Sequence, residues 1–263
     1  PLTMGKDSVD FLGHFSHGQI NIGGIAVGLF FCIGGFLIAK SVSRTKSASS
    51  YFGARCRRIF PLLIAVTMIL AFIAGPILTT YSVSEYFSNS QTYLYMLNGL
   101  LIPIHNLPGV FTDSIYDPTV NGPLWTLPVE FACYIFCYFI YSFKLLNKKR
   151  YPIVLAFCLL CVVGIYYFYN ENSMLASILR PALLFVVGMG FYVYQDKIRL
   201  NILLGLSLIL PFIFLLKLGL SNIAMIFLFP YIIFSIAFAT KYKLGQFGKY
   251  GEFSYGIYIW GWP

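Results

Sequence analysis

Of the 263 residues, 59% are hydrophobic and only 10% are charged, and the mean hydropathy is +0.78. A water-soluble globular protein carries about 25% charged residues, so a soluble domain is excluded and the fold class is an all-α, polytopic transmembrane helical bundle. The net charge of +9 does not mark a nucleic-acid partner, because the basic residues are segregated along the chain. All except Lys6, Arg180 and Lys217 fall in four linkers, 40–58, 144–150, 195–199 and 241–249. Asp7, Asp10, Glu85, Asp113, Asp117, Glu130 and Glu171 fall in the stretches on the other side. Cytoplasmic loops carry the excess of Lys and Arg, so the basic balance reports topology and those four linkers are cytoplasmic. The partner it implies is the lipid bilayer.

The chain opens PLTMGKDSVDFLGHFSHGQIN, with neither initiator Met nor signal peptide. It closes SYGIYIWGWP inside an apolar run, and is expected to be a piece of a longer membrane domain, 1–263 being one domain cut at both ends. Residues 1–20 are polar and form an outer loop. The first span covers about 21–40 and carries Gly24-x-x-x-Gly28, then Gly34 and Gly35; small residues so spaced let helices approach closely. A basic loop leads to a second span over about 58–80, with an outer kink expected at Gly75-Pro76. The next apolar segment, TYLYMLNGLLIPI (92–104), falls short of the roughly 17 residues a span needs, and reads as an interfacial or re-entrant helix on the outer side. The Pro-, Asp- and Gly-rich loop 105–122 follows outside. Spans are then expected over 123–143, 152–169, 174–194, 200–216 and 222–240, and another begins near 252.

Four stretches could hold chemistry. Arg55 and Arg58, at i and i+3, share one helix face at the cytoplasmic end of the second span; guanidinium groups there suit the phosphates of a nucleotide donor. The alternative is that they are anchors attracted to anionic lipid. Within Asn121-Gly-Pro-Leu-Trp125-Thr-Leu-Pro-Val-Glu130, the carboxylate lies about seven residues into its span, roughly 10 Å down at 1.5 Å per residue. Arg180 lies about as deep in a parallel span, and a charge within the bilayer costs about 2.5–3.5 kcal/mol, so the two are expected to pair. Ser254-Tyr255-Gly256-Ile-Tyr258-Ile-Trp260 is either a site element or an aromatic belt. His14, His17 and His105 lie in outer loops without metal-ligand spacing, and no metal site is expected. Cys158-x-x-Cys161 lies inside LAFCLLCVVG and is read as small apolar packing rather than a redox pair.

GLFFCIGGFLI, RCRRIFPL, GPLWTLPVEF and SYGIYIW, in this order and spacing, resemble acyltransferase family three, the bacterial integral membrane O-acyltransferases that modify glycans. The resemblance covers essentially all of 18–263. It implies transfer of an acyl group, acetyl by family habit, from cytoplasmic acyl-CoA to a glycan hydroxyl or a lipid-linked sugar at the outer face of the plasma membrane. The family's R-x-x-R pair falls on Arg55 and Arg58 as donor-binding residues. Its W-S-L-x-V-E segment falls on Trp125 to Glu130, with Thr126 where Ser is usual. Glu130, Trp125, Arg180 and Tyr255 are the candidate catalytic residues. The family's histidine lies in a first helix expected before Pro1, so 1–263 alone is not expected to turn over. The last motif often ends H-x-P, whereas Gly261-Trp262-Pro263 has no histidine. A glycolipid transporter or flippase is the rival reading, favoured by internal repeats, which the sequence lacks; a scaffold or sensor domain is a third.

The charge pattern predicts that single cysteines placed in 41–57 and 144–150 react with an impermeant maleimide only from the cytoplasmic side, and one at Ser114 only from outside. Labelling of Ser114 from the cytoplasm alone would overturn the topology.

Overall fold

The computed structural model describes residues 10–112, 118–168, 174–239 and 254–260. The expected cytoplasmic linker 241–249, the acidic residues Asp7, Asp113, Asp117 and Glu171, and the closing Gly261-Trp262-Pro263 lie outside the described residues. In chain order come α1 (Phe11–Phe15), α2 (Ile22–Val42), α3 (Ala48–Ile69), a π-turn (Leu70–Ala74) and α4 (Gly75–Leu78). Then follow α5 (Val83–Ser88), α6 (Ser90–Leu94), a 3₁₀ segment (Tyr95–Leu100), another (Gly122–Trp125), α7 (Thr126–Ser142), α8 (Tyr151–Phe168) and α9 (Met174–Val193). The remainder is α10 (Ile202–Ser207), α11 (Ile209–Lys217), α12 (Ser221–Ile223), a π-turn (Ala224–Leu228), α13 (Phe229–Ala239) and α14 (Ser254–Trp260).

The architecture is all-α. Among the described residues, Ile22–Val42, Ala48–Leu78, Gly122–Ser142 and Ser221–Phe238 are long and apolar enough to cross a bilayer; Tyr151–Ile165, Ile178–Val193 and Ile202–Lys217 are shorter apolar stretches. The span expected over 200–216 is broken at Leu208, between α10 and α11. The second span also differs at its start. Its helix begins at Ala48, inside the basic loop, where the Ser47 hydroxyl caps the Ser50 N–H. Apolar residues mark where hydrocarbon begins, whereas the cap and good helix formers such as Arg decide where the helix begins.

The described residues fall into two compact units, one drawn from Asp7–Thr45 and Ala132–Leu244, the other from Lys46–Phe131 and Gly245–Pro263. In the first, Asp10 caps α1 through the Gly13 N–H and also accepts from the Ile22 N–H, which fixes where α2 starts. Of the glycines in α2, Gly35 makes the close approach the sequence predicts, whereas a Cβ on Gly34 would make only ordinary side-chain contact and one on Gly24 would meet only the residues just before it. A Cβ on Gly35 would lie 2.0 Å from the Phe185 carbonyl oxygen, and one on Gly188 of α9 would lie 2.0 Å from that of Cys32. The two backbones therefore touch, where dispersion and weak C–H···O contacts reward close approach. Around them Phe36, Leu184, Phe212, Met225, Phe229 and Phe234 form one apolar cluster. The α8–α9 hairpin is tied at its linker end by Lys148–Asp196 and by the Tyr194 hydroxyl donating to the Lys148 carbonyl. The Lys148 hydrogen bond holds the Asp196 carboxyl below the usual carboxylate range. Cys158 is half-buried and Cys161 exposed, and the two share no disulfide.

In the second unit the helix passes into Gly75-Pro76 through the π-turn Leu70–Ala74. In the π-turn the Gly75 N–H reaches back to the Leu70 carbonyl. The next carbonyl in that register, Ala71, would need a proton on the Pro76 nitrogen, and proline has none. The buried Tyr86 hydroxyl donates to it instead, at 2.8 Å. Position 75 must be glycine for this, since a Cβ would lie 2.0 Å from that hydroxyl. The short segment 92–104 is not one continuous helix. Its 3₁₀ helix ends at Leu101 in the left-handed region, with φ 64°, and Asn98 spans the reversal by bonding the Tyr95 carbonyl and both polar groups of Ile104.

Gly35→Ala or Gly188→Ala is expected to force α2 and α9 apart and cost about 1–3 kcal/mol, the usual scale of overpacking. A lowered melting temperature of the purified protein in detergent checks this; Gly164→Ala, whose Cβ meets nothing within 4 Å, serves as the neutral control.

Candidate active site

The second unit brings together most of the residues singled out by sequence. In α3 the three arginines separate by exposure: Arg57 is exposed, whereas Arg55 and Arg58 are half-buried. The Arg55 guanidinium lies 4.3 Å from the centroid of the buried Tyr51 ring, one turn earlier on the helix, and its Nη1 donates to the Tyr51 carbonyl at 3.4 Å. Stacking of this kind holds the planar group without using all its donors.

The start of α7 is built by Gly122-Pro123. Proline fixes φ for the first helical turn and loses no bond there. Asn121, in the capping position, makes no side-chain cap bond; its Nδ2 donates to the Ile259 carbonyl of α14 at 3.1 Å. Thr126 and Glu130, at i and i+4, share one face of α7, and both are buried, at 2% and 4% exposure. Trp125, at the end of the 3₁₀ turn, is half-buried.

Tyr255 and Tyr258 share a face of α14. The Tyr258 hydroxyl meets Thr126 Oγ1 at 2.6 Å, and Thr126 in turn donates to the Pro123 carbonyl at 3.0 Å. The Tyr255 hydroxyl donates to the Ile59 carbonyl of α3 at 3.1 Å. That carbonyl belongs to the residue after Arg58. Tyr255 is only 6% exposed, and the two hydroxyls bond to α3 and α7. The usual Ser at position 126 is replaced without loss of this contact, because threonine carries the same hydroxyl.

Arg180 belongs to the first unit. Expected as the partner of Glu130, it instead donates from Nη1 to the Gln19 carbonyl at 3.0 Å. Its Nε is buried without a hydrogen-bond partner. Gln19 also accepts from the Ser221 N–H at the start of α12. Equal depth, counted along two helices, says nothing about which faces they turn to each other. Gln19 and the Ile59 carbonyl were not foreseen; a glutamine in a polar loop and a main-chain acceptor carry no sequence signal. Among the described residues no three His, Cys, Asp or Glu side chains converge as a metal site.

A family model described as "Acyltransferase domain" matches residues 3–263. The chain belongs to that family. Among curated proteins it is 36% identical over 143 residues to an O-acetyl transferase of Shigella phage Sf6, covering 54% of this chain and 42% of that protein. It is also 32% identical over 115 residues to Nodulation protein 10 of Rhizobium leguminosarum bv. viciae, covering 41% of this chain and 30% of the relative. The matched stretches thus span less than half the length of either relative. No solved structure matches the chain.

Tyr258→Phe and Thr126→Val each remove one end of the same contact. Each is expected to cost about 1 kcal/mol, and the double variant little more than either. A double-mutant cycle on thermal unfolding measures this; strictly additive losses would show that the hydroxyls act separately.

Proposed function

We propose that this protein is a membrane-embedded O-acyltransferase of the bacterial plasma membrane. It moves an acyl group, in the first instance acetyl, from cytoplasmic acyl-CoA to a hydroxyl of a cell-surface glycan or of its lipid-linked precursor. The observation that carries the reading is the junction of α3, α7 and α14 in a chain of the acyltransferase family, where Tyr255 bonds the Ile59 carbonyl next to Arg58 and Tyr258 bonds Thr126, one turn from Glu130. Its similarity to a protein named O-acetyl transferase supports acetyl as the group.

The chemistry asks for three things. The thioester C–S bond breaks, a C–O ester bond forms, and the hydroxyl proton passes to a base and then to the departing sulfur. The base is the role the resemblance gives to the family's histidine. Arg55, stacked on Tyr51, and Arg58 supply cations at the basic end of α3, where the positive-inside rule puts the cytoplasm and hence the anionic donor. Trp125 and Glu130 belong to the same unit, and Arg180 is the remaining candidate residue. Residues 1–263 act in this reading as one acyltransferase domain with lipid and glycan as partners and without nucleic acid.

Membranes containing the whole protein, supplied with radiolabelled acetyl-CoA and the cell's own glycan precursor, provide the test. Arg55→Ala or Arg58→Ala is expected to lower transfer by about a hundredfold, the scale of losing a charged contact, with insertion into the membrane unchanged. Wild-type transfer by both variants would reduce the pair to lipid anchors.

A further inference from the structure

Glu130 brings a carboxyl group into an apolar helix at 4% exposure, a position where a carboxylate needs a cation close by. Three contacts within the second unit fix what lies opposite it. The rings of Phe60 and Phe131 meet edge to face with centroids 6.0 Å apart, so α3 and α7 are neighbours at this level. Arg58 lies two residues before Phe60, and Glu130 immediately before Phe131. Helix α14 supplies an independent register: Tyr258 bonds Thr126, so one turn earlier Tyr255 comes level with Glu130, one turn further along α7. Tyr255 at that level reaches the Ile59 carbonyl, next to Arg58. Two separate helix registers therefore bring Arg58 and Glu130 to one level of the unit, beside Tyr255.

We infer that Glu130 is the counter-charge that orients Arg58, making it a positioning residue for the donor cation, with Tyr255 as the spacer that keeps the two at one level. Arg57, exposed on the other side, takes no part. The inference rests on the acyltransferase reading for its function but not for its geometry. A guanidinium has five donors, so a carboxylate can hold one edge while the other remains for a donor phosphate. The arrangement assigns Glu130 to the donor side of the reaction, at the level of the basic end of α3, rather than to the outer half expected from counting down α7.

Two measurements on the whole protein, purified in detergent, test it. The first is a thermal-unfolding cycle with Arg58→Ala, Glu130→Ala and the double variant. Each single variant is expected to lower the melting temperature, and the double no further than the worse single, because it leaves no unpaired buried charge. The exchange Arg58→Glu with Glu130→Arg should recover part of the loss. Additive losses without recovery would overturn the pairing. The second is donor kinetics. Glu130→Gln should raise the KM for acetyl-CoA about tenfold with kcat nearly kept, the pattern of lost binding rather than lost chemistry, and Glu130→Asp should lie between. A falling kcat at constant KM would overturn the positioning role and make Glu130 a participant in the chemistry. A coupled cycle with unaltered KM and kcat would overturn it too, leaving a structural ion pair. Absence of transfer by the wild-type protein counts against the acyltransferase reading alone, since the unfolding cycle reads the pair without turnover.

Discussion

A polar group without a partner in hydrocarbon costs several kcal/mol, and each irregularity in these helices can be read as an answer to that cost. Pro76 removes the proton that the Ala71 carbonyl would need, so Tyr86 brings a hydroxyl and Gly75 makes room for it. The reversal after the 3₁₀ segment at Tyr95–Leu100 exposes main-chain groups, and Asn98 covers those of Tyr95 and Ile104. Asn121 gives up capping its own helix to serve the Ile259 carbonyl. In water such groups would be solvated without help. In a bilayer each requires a named side chain, which is why the irregular segments carry Tyr, Asn and Thr.

The same constraint accounts for how the helices of the first unit hold together. Burying apolar surface against lipid tails gains little, so close packing must supply the attraction. Gly35 and Gly188 let α2 and α9 meet backbone to backbone, and the large rings of Phe36, Phe212, Phe229 and Phe234 fill the space beside them. Polar links appear at the ends: His17 bonds the Lys217 carbonyl and Gln19 joins Arg180 to the start of α12. Near an interface such bonds are less costly to make and to break than in the middle of a span.

In the second unit, polarity near the middle of a span is concentrated where α3, α7 and α14 meet. Tyrosine suits that position. Its ring fills apolar space while its hydroxyl reaches a carbonyl or another hydroxyl, and Tyr255 and Tyr258 do both. Three helices joined by interlocking hydrogen bonds hold the polar groups between them in fixed geometry.

The amino-acid sequence by itself determined the class and the family. Hydropathy and the segregation of Lys and Arg are one-dimensional quantities, and the lipid reads them segment by segment. Four motifs in order identified the acyltransferase family, and with it Arg55, Arg58, Trp125, Glu130 and Tyr255 as residues to examine. The glycine spacing in α2 also foretold a close helix contact, though not that Gly188 would be its counterpart. Which charge faces which was beyond reach. Glu130 and Arg180 matched in depth, but depth fixes one coordinate, and pairing depends on the rotation of each helix about its axis and on its neighbours. Only the tertiary structure supplied those, by setting Phe60 against Phe131 and Tyr255 against Ile59, and by giving Arg180 the Gln19 carbonyl instead. The start of α3 at Ala48 was likewise hidden, because a hydropathy count registers the edge of the hydrocarbon while a helix continues through water for as long as its cap and its backbone bonds hold.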